Sequence, residues 1–71
     1  MKKLDLHTLS HEEVPEIVHR FINENWSLDN ELHIITGHSQ KMKNIVTTIL
    51  KMYDVTSTIL PHNPGVIIIS I

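Results

Sequence analysis

Residues 31–53, ELHIITGHSQKMKNIVTTILKMY, read in order as a strand, a turn and a helix. Leu32 and Ile34 alternate with polar neighbours through a strand from Glu31 to Thr36. Gly37-His38-Ser39 then breaks the pattern. Apolar residues return at Met42, Ile45, Val46, Ile49, Leu50 and Tyr53, the one-sided spacing of a helix. A similar unit precedes it. Leu4 and Leu6 alternate with Asp5 and His7 in a strand Lys3–His7, and Val14, Ile17, Val18, Phe21 and Ile22 mark one helical face. Ser10-His11-Glu12-Glu13 has the form of a capping box, while Pro15 predicts an irregular first turn. Beyond Trp26, Ser27-Leu28-Asp29-Asn30 reads as the turn out of that helix.

After the second helix, Val55–Leu60 is rich in β-branched residues and reads as a third strand. Pro61-His62-Asn63-Pro64-Gly65 is a turn, and Val66–Ile71, apolar almost throughout, is a last and central strand. A five-residue connection is too short for a crossover, so the last two strands form an antiparallel hairpin. The strand–helix–strand units require parallel pairing with right-handed crossovers, which puts both helices on one face of the sheet. The expected fold is a two-layer α/β sandwich, β-α-β-α-β-β, with a four-stranded mixed sheet. No helix of this chain covers its other face, where the last strand is still apolar. That face is therefore a candidate partner surface, and a homodimer through the open sheet face is one expectation.

With 71 residues the chain is expected to be a single domain, 1–71. It contains no cysteine, which excludes disulfides, thiolate zinc sites and thiol catalysis. The longest wholly apolar run is Val66–Ile69, far short of a membrane span, and Met1-Lys2-Lys3-Leu4-Asp5 lacks the apolar core of a signal peptide. A soluble cytoplasmic protein with no membrane partner is expected. Eleven Ile, five Asn and five Lys, with no Ala and one Arg, suggest an AT-rich genome of viral or phage type. Residues 1–31 carry three basic and seven acidic side chains, and residues 32–71 three basic and one acidic. An anionic partner should therefore approach the second half.

In open α/β sheets, ligands gather beyond the carboxyl ends of the parallel strands. Here those ends are His7 and Thr36, and adjacent strands would set their loops side by side. Alternation turns Leu4, Leu6, Leu32 and Ile34 toward the helices, and Asp5, His7 and His33 to the open face. Residues two apart on one face lie roughly 6–7 Å apart, so Asp5 and His7 can share a proton, a metal or a phosphate-bound water. Gly37 permits close backbone approach, and the helix after it offers N–H groups and a positive dipole end to phosphate. Lys41 and Lys43 lie in or near its first turn. Among the other histidines, His11 is expected in the first turn of the first helix, His19 on its exposed side and His62 in a turn. No His-x3-His pair on one helix face suggests a zinc site.

Leu4-Asp5-Leu6-His7 and Ile34-Ile35-Thr36-Gly37-His38 together resemble the two motifs of the small MutS-related (Smr) domain family. Those motifs are Leu-Asp-x-His at the end of the first strand, and Thr-Gly-x-Gly or His-Gly-x-Gly where a later strand enters a helix. The resemblance spans essentially the whole chain, and the element order agrees with it. It implies a fold similar to the C-terminal domain of translation initiation factor three. It also implies nucleic-acid binding, with cleavage of RNA or DNA by several members. Carried over residue by residue, cleavage falls to Asp5 and His7, joined by His38 beside them. Nucleic-acid contact falls to Thr36, Gly37 and His38; the helix N-terminus and local charge, apart from the resemblance, add Ser39 to that loop and Lys41 and Lys43 as sources of attraction. Ser39 stands where the family has its second glycine, and Thr8 where a glycine usually follows the first motif.

Two functional classes follow. One is a stand-alone Smr-like endonuclease that cuts one strand, with no cofactor needed for folding and Mg²⁺ as a candidate for cleavage. The other is a non-catalytic module that docks on RNA, the ribosome or a host protein through the loop site or the open sheet face.

Overall fold

The computed structural model describes residues 2–26 and 31–70. Its elements are β1 (Lys2–Asp5), α1 (Val14–Asn25), β2 (Glu31–Ile35), α2 (Gln40–Leu50), β3 (Thr56–Leu60) and β4 (Asn63–Ser70). They form the expected α/β sandwich with one mixed sheet in the order β1-β2-β4-β3. β1 and β2 are parallel, with Leu4 opposite Ile34 and Asp5 opposite Ile35. β4 runs antiparallel to both β2 and β3, so it is central.

One core explains why the sheet has a single covered face. Leu6, Leu32, Ile34, Ile67 and Ile69 from the sheet meet Val14, Val18 and Ile22 of α1 and Met42, Val46, Ile49 and Leu50 of α2. All are buried, and Ile17, Phe21, Ile45 and Tyr53 pack at the margin. On the opposite face Ile35, Val66 and Ile68 are half-buried and floor a hollow of about 140 Å³. Lys3, His33, Leu60 and Asn63 complete its lining.

Several boundaries differ from the sequence reading, each for a local reason. The β1 ladder ends at Asp5 with one further bond, Leu6 N–H to Ile35 O at 2.8 Å. His7 leaves the strand because its N–H turns back to the Asp5 carboxylate at 3.1 Å. Ser10 does not cap α1 directly. Instead Glu13 N–H donates to Ser10 O at 3.1 Å, and Ser10 N–H to Glu13 Oε2 at 3.3 Å, closing a separate turn that contains His11. The helix starts only at Val14, which places Pro15 in the first turn, where its missing N–H costs no helical bond. His19 is half-buried rather than exposed, with Nδ1 2.6 Å from Tyr53 Oη. The hairpin turn is Pro61-His62 alone. β4 begins at Asn63, and a register shift between Ile59 and Leu60 accommodates Pro64, which has no N–H to donate. The expected turn at 27–30 and the end of the last strand at Ile71 lie outside the described residues.

Candidate functional site

The parallel pairing of β1 and β2 brings their two exit loops together, as the strand order requires. The backbone around Gly37 has φ +68°, the left-handed region, and a side chain there would meet His7 Cβ at 3.4 Å. Gly37 thus lets the second loop lie against the first. Gly65, read from sequence as a turn residue, is the third part of this junction. Its carbonyl accepts from Thr36 N–H at 2.8 Å and Gly37 N–H at 3.2 Å, locking the loop to β4. A Pro-Gly dipeptide is a turn signal, and only the sheet pairing reveals Gly65 as a loop anchor.

Gly37→Ala should destabilise the protein by about 1–3 kcal/mol, because a non-glycine residue is strained at that φ. At Gly65 an added methyl meets Gly37 Cα and O at 3.5 Å, ordinary contact. Gly65→Ala should therefore be nearly neutral, and urea melts of the two variants check the contrast.

Asp5 and His7, the candidate pair, meet just beyond the end of β1. Asp5 Oδ1 accepts from the His7 backbone N–H and also pairs with His7 Nδ1. An ionised carboxylate only accepts, so Nδ1 carries the proton and Nε2 is left to act on a ligand. The His7 side chain is 54% exposed and that of Asp5 51%, so both can be reached from solvent. The hydrogen bonds from the His7 ring and backbone hold the Asp5 carboxyl below its ordinary value. The sign follows by linkage: a depressed carboxylate stabilises the fold above its unfolded pKa of about 3.9, and the increment is lost as pH falls through the lower folded value. Acid titration should show a small increment of this kind in the wild type that is missing from Asp5→Asn.

The remaining candidates divide. Thr36 is buried, with its hydroxyl directed at the carbonyls of Gly37 at 3.1 Å and Gly65 at 3.3 Å, so its side chain shapes the loop. Ser39 is the N-cap of α2. Its Oγ accepts from Met42 N–H at 3.1 Å, the side-chain bond of a serine N-cap. The N–H groups of the first α2 residues, Gln40 and Lys41, lie before the first intrahelical bonds, as at any helix start. His38 is exposed beside Gly37. Lys41 lies in the first turn of α2, as expected, where it lines a groove between the helices with Pro15, His19 and Met52. Lys43 is half-buried on the same helix. His33 lies on the open face, but its side chain is only 18% exposed and pairs with Glu31 at 3.3 Å.

Among the described residues, no group of three or more His, Asp or Glu side chains could hold a metal ion. Asp5 Oδ2 is the carboxylate oxygen not engaged by His7. One carboxylate fits Mg²⁺, which takes one or two such donors and completes its shell with water and phosphate oxygens. Among the described residues, no helix is long and apolar enough to cross a membrane. No family model, curated protein or solved structure matches the chain.

Proposed function

We propose that the chain is a cytoplasmic nucleic-acid-binding module of Smr type that cuts one strand of RNA or DNA at the Asp5–His7 pair. The observation that carries this reading is the orientation of that pair. Asp5 holds the half-exposed His7 ring through Nδ1, which leaves Nε2 as the nitrogen not engaged by Asp5, in a side chain that packs beside Gly37. Nε2 accepts a proton from the attacking water as its oxygen bonds to phosphorus, the P–O bond to the leaving sugar oxygen breaks, and that oxygen takes its proton from solvent; a held imidazole suits such general base catalysis. Asp5 is then the positioning residue and His7 the catalytic one. The N–H groups at the start of α2 favour the phosphate, and Lys41 and Lys43 add attraction at longer range. A divalent ion at Asp5 Oδ2 would neutralise phosphate charge.

The test is incubation of wild type and the Asp5→Ala, His7→Ala double variant with labelled single-stranded, duplex and hairpin RNA and DNA, with Mg²⁺ and with EDTA. Cleavage by wild type alone supports the reading and identifies the substrate class. The half-buried Ile35, Val66 and Ile68 on the open face favour a second reading, a non-catalytic module that docks there on RNA, the ribosome or a host protein. Binding without cleavage in either protein, insensitive to salt, would select it.

A further inference from the structure

The sheet has two edges, and they differ in kind. β1 carries Lys2, Lys3 and Asp5 among its four residues, the charged edge that discourages pairing with another strand. β3, Thr56-Ser57-Thr58-Ile59-Leu60, has no charge, no proline and no glycine, and is exposed over its first four positions. Among the described residues no strand pairs with its outer side. Ile59 is 42% exposed, although its partner Ile67 across the sheet is in the core. An uncharged, β-branched edge with an exposed apolar side chain is a template for strand addition.

We propose that β3 pairs antiparallel with β3 of a second copy of this chain, joining the two sheets into one across a two-fold axis at Ser57. The side-chain pattern is self-complementary about that residue. Ser57 meets its own copy once on the axis, while Thr56 meets Thr58 and Val55 meets Ile59 twice each. Opposed residues in a sheet share a face, and these do. Val55 packs at the core margin and Ile59 is opposite Ile67, so both lie on the helix side, whereas Thr58 is opposite open-face Ile68. Threonine pairs and apolar β-branched pairs are favourable across strands. The nearest charged residue, Asp54, falls opposite Leu60, so no like charges meet. The register shift after Ile59 ends the pairing where the complementarity ends. This arrangement leaves the open face and the Asp5–His7 site uncovered in both copies, so it does not depend on the proposed activity.

The chain has no cysteine, so Ser57→Cys introduces a single thiol at the axis. Directly opposed Cα atoms in an antiparallel pair lie about 4.5–5.5 Å apart, within disulfide range. Under mild oxidation Ser57→Cys should cross-link at least an order of magnitude faster than Lys3→Cys on the other edge, because pairing raises the local thiol concentration. Equal rates would overturn the proposal. In sedimentation, wild type should dimerise, Ser57→Lys and Ser57→Asp should each be monomers, and their equimolar mixture should dimerise again. A monomeric wild type would overturn it, as would dimers of the separate charged variants that Ile68→Lys on the open face disrupts. Circular dichroism of each variant distinguishes lost pairing from lost folding, and the cysteine comparison stands even if the charged variants unfold.

Discussion

His7→Ala should lower strand cleavage by about 10²–10⁴-fold, the usual contribution of a positioned acid–base group, while leaving affinity within a few-fold. Asp5→Ala should lower it comparably, because the His7 ring loses the acceptor that fixes its tautomer and its direction. The two losses should not add, since both remove one working unit. Affinity behaves differently because neither side chain supplies most of the attraction. Asp5→Ala removes a negative charge beside the phosphate and should, if anything, tighten binding. Single-turnover cleavage with saturating protein separates the effects: the rate falls and the half-saturation point does not. Cleavage that persists in Asp5→Ala would remove the pair from the mechanism. A salt titration adds a second check. If Lys41 and Lys43 are the main phosphate-attracting cations, log affinity should fall with log salt at a slope near −2, and each Lys→Ala should reduce the slope by about 1.

The architecture was legible because each amphipathic period is unbroken. Val14 to Ile22 and Met42 to Tyr53 can bury only one face each, and Leu4, Leu6, Leu32 and Ile34 supply the matching strand faces. Two strand–helix units followed by a short hairpin leave few arrangements. The proximity of Asp5 and His7 was legible from their two-residue spacing, but His7 meets the carboxylate by turning back beyond the strand end and not by strand alternation. Other features depend on partners distant in sequence. His19 has a polar neighbour only because Tyr53, 34 residues later, comes to lie beside it. Thr36 looks like a ligand contact until the Gly65 carbonyl takes its N–H. Pro61-His62-Asn63-Pro64-Gly65 contains so many turn residues that local chemistry hides the strand running through three of them. Ser39 shows the reverse case. Read against a glycine motif it is a defect, whereas read as Ser before a helix it is a cap.

Ile67→Ala should destabilise the fold by about 2–5 kcal/mol, and Ile68→Ala, one residue along the same strand, by only about 1 kcal/mol. Ile67 is fully buried between Ile34 and Ile59 on the helix side, and its truncation leaves a cavity that neighbours on a central strand cannot close. Ile68 is half-buried on the open face, where water can fill the space left behind. The first loss is large for a chain this small. At roughly 0.05–0.15 kcal/mol per residue, 71 residues imply a total of about 4–11 kcal/mol, so Ile67→Ala should remove a large share of it. Trp26 provides the probe: it is the lone tryptophan, with its ring centroid 5.9 Å from that of Tyr53 at the helix margin. Urea unfolding followed by its fluorescence should shift the Ile67→Ala midpoint far below that of Ile68→Ala. Equal shifts would mean that both faces are equally covered, as a partner on the open face would require. Reversed shifts would place β4 one residue out of register, which would turn every side chain of that strand to the opposite layer.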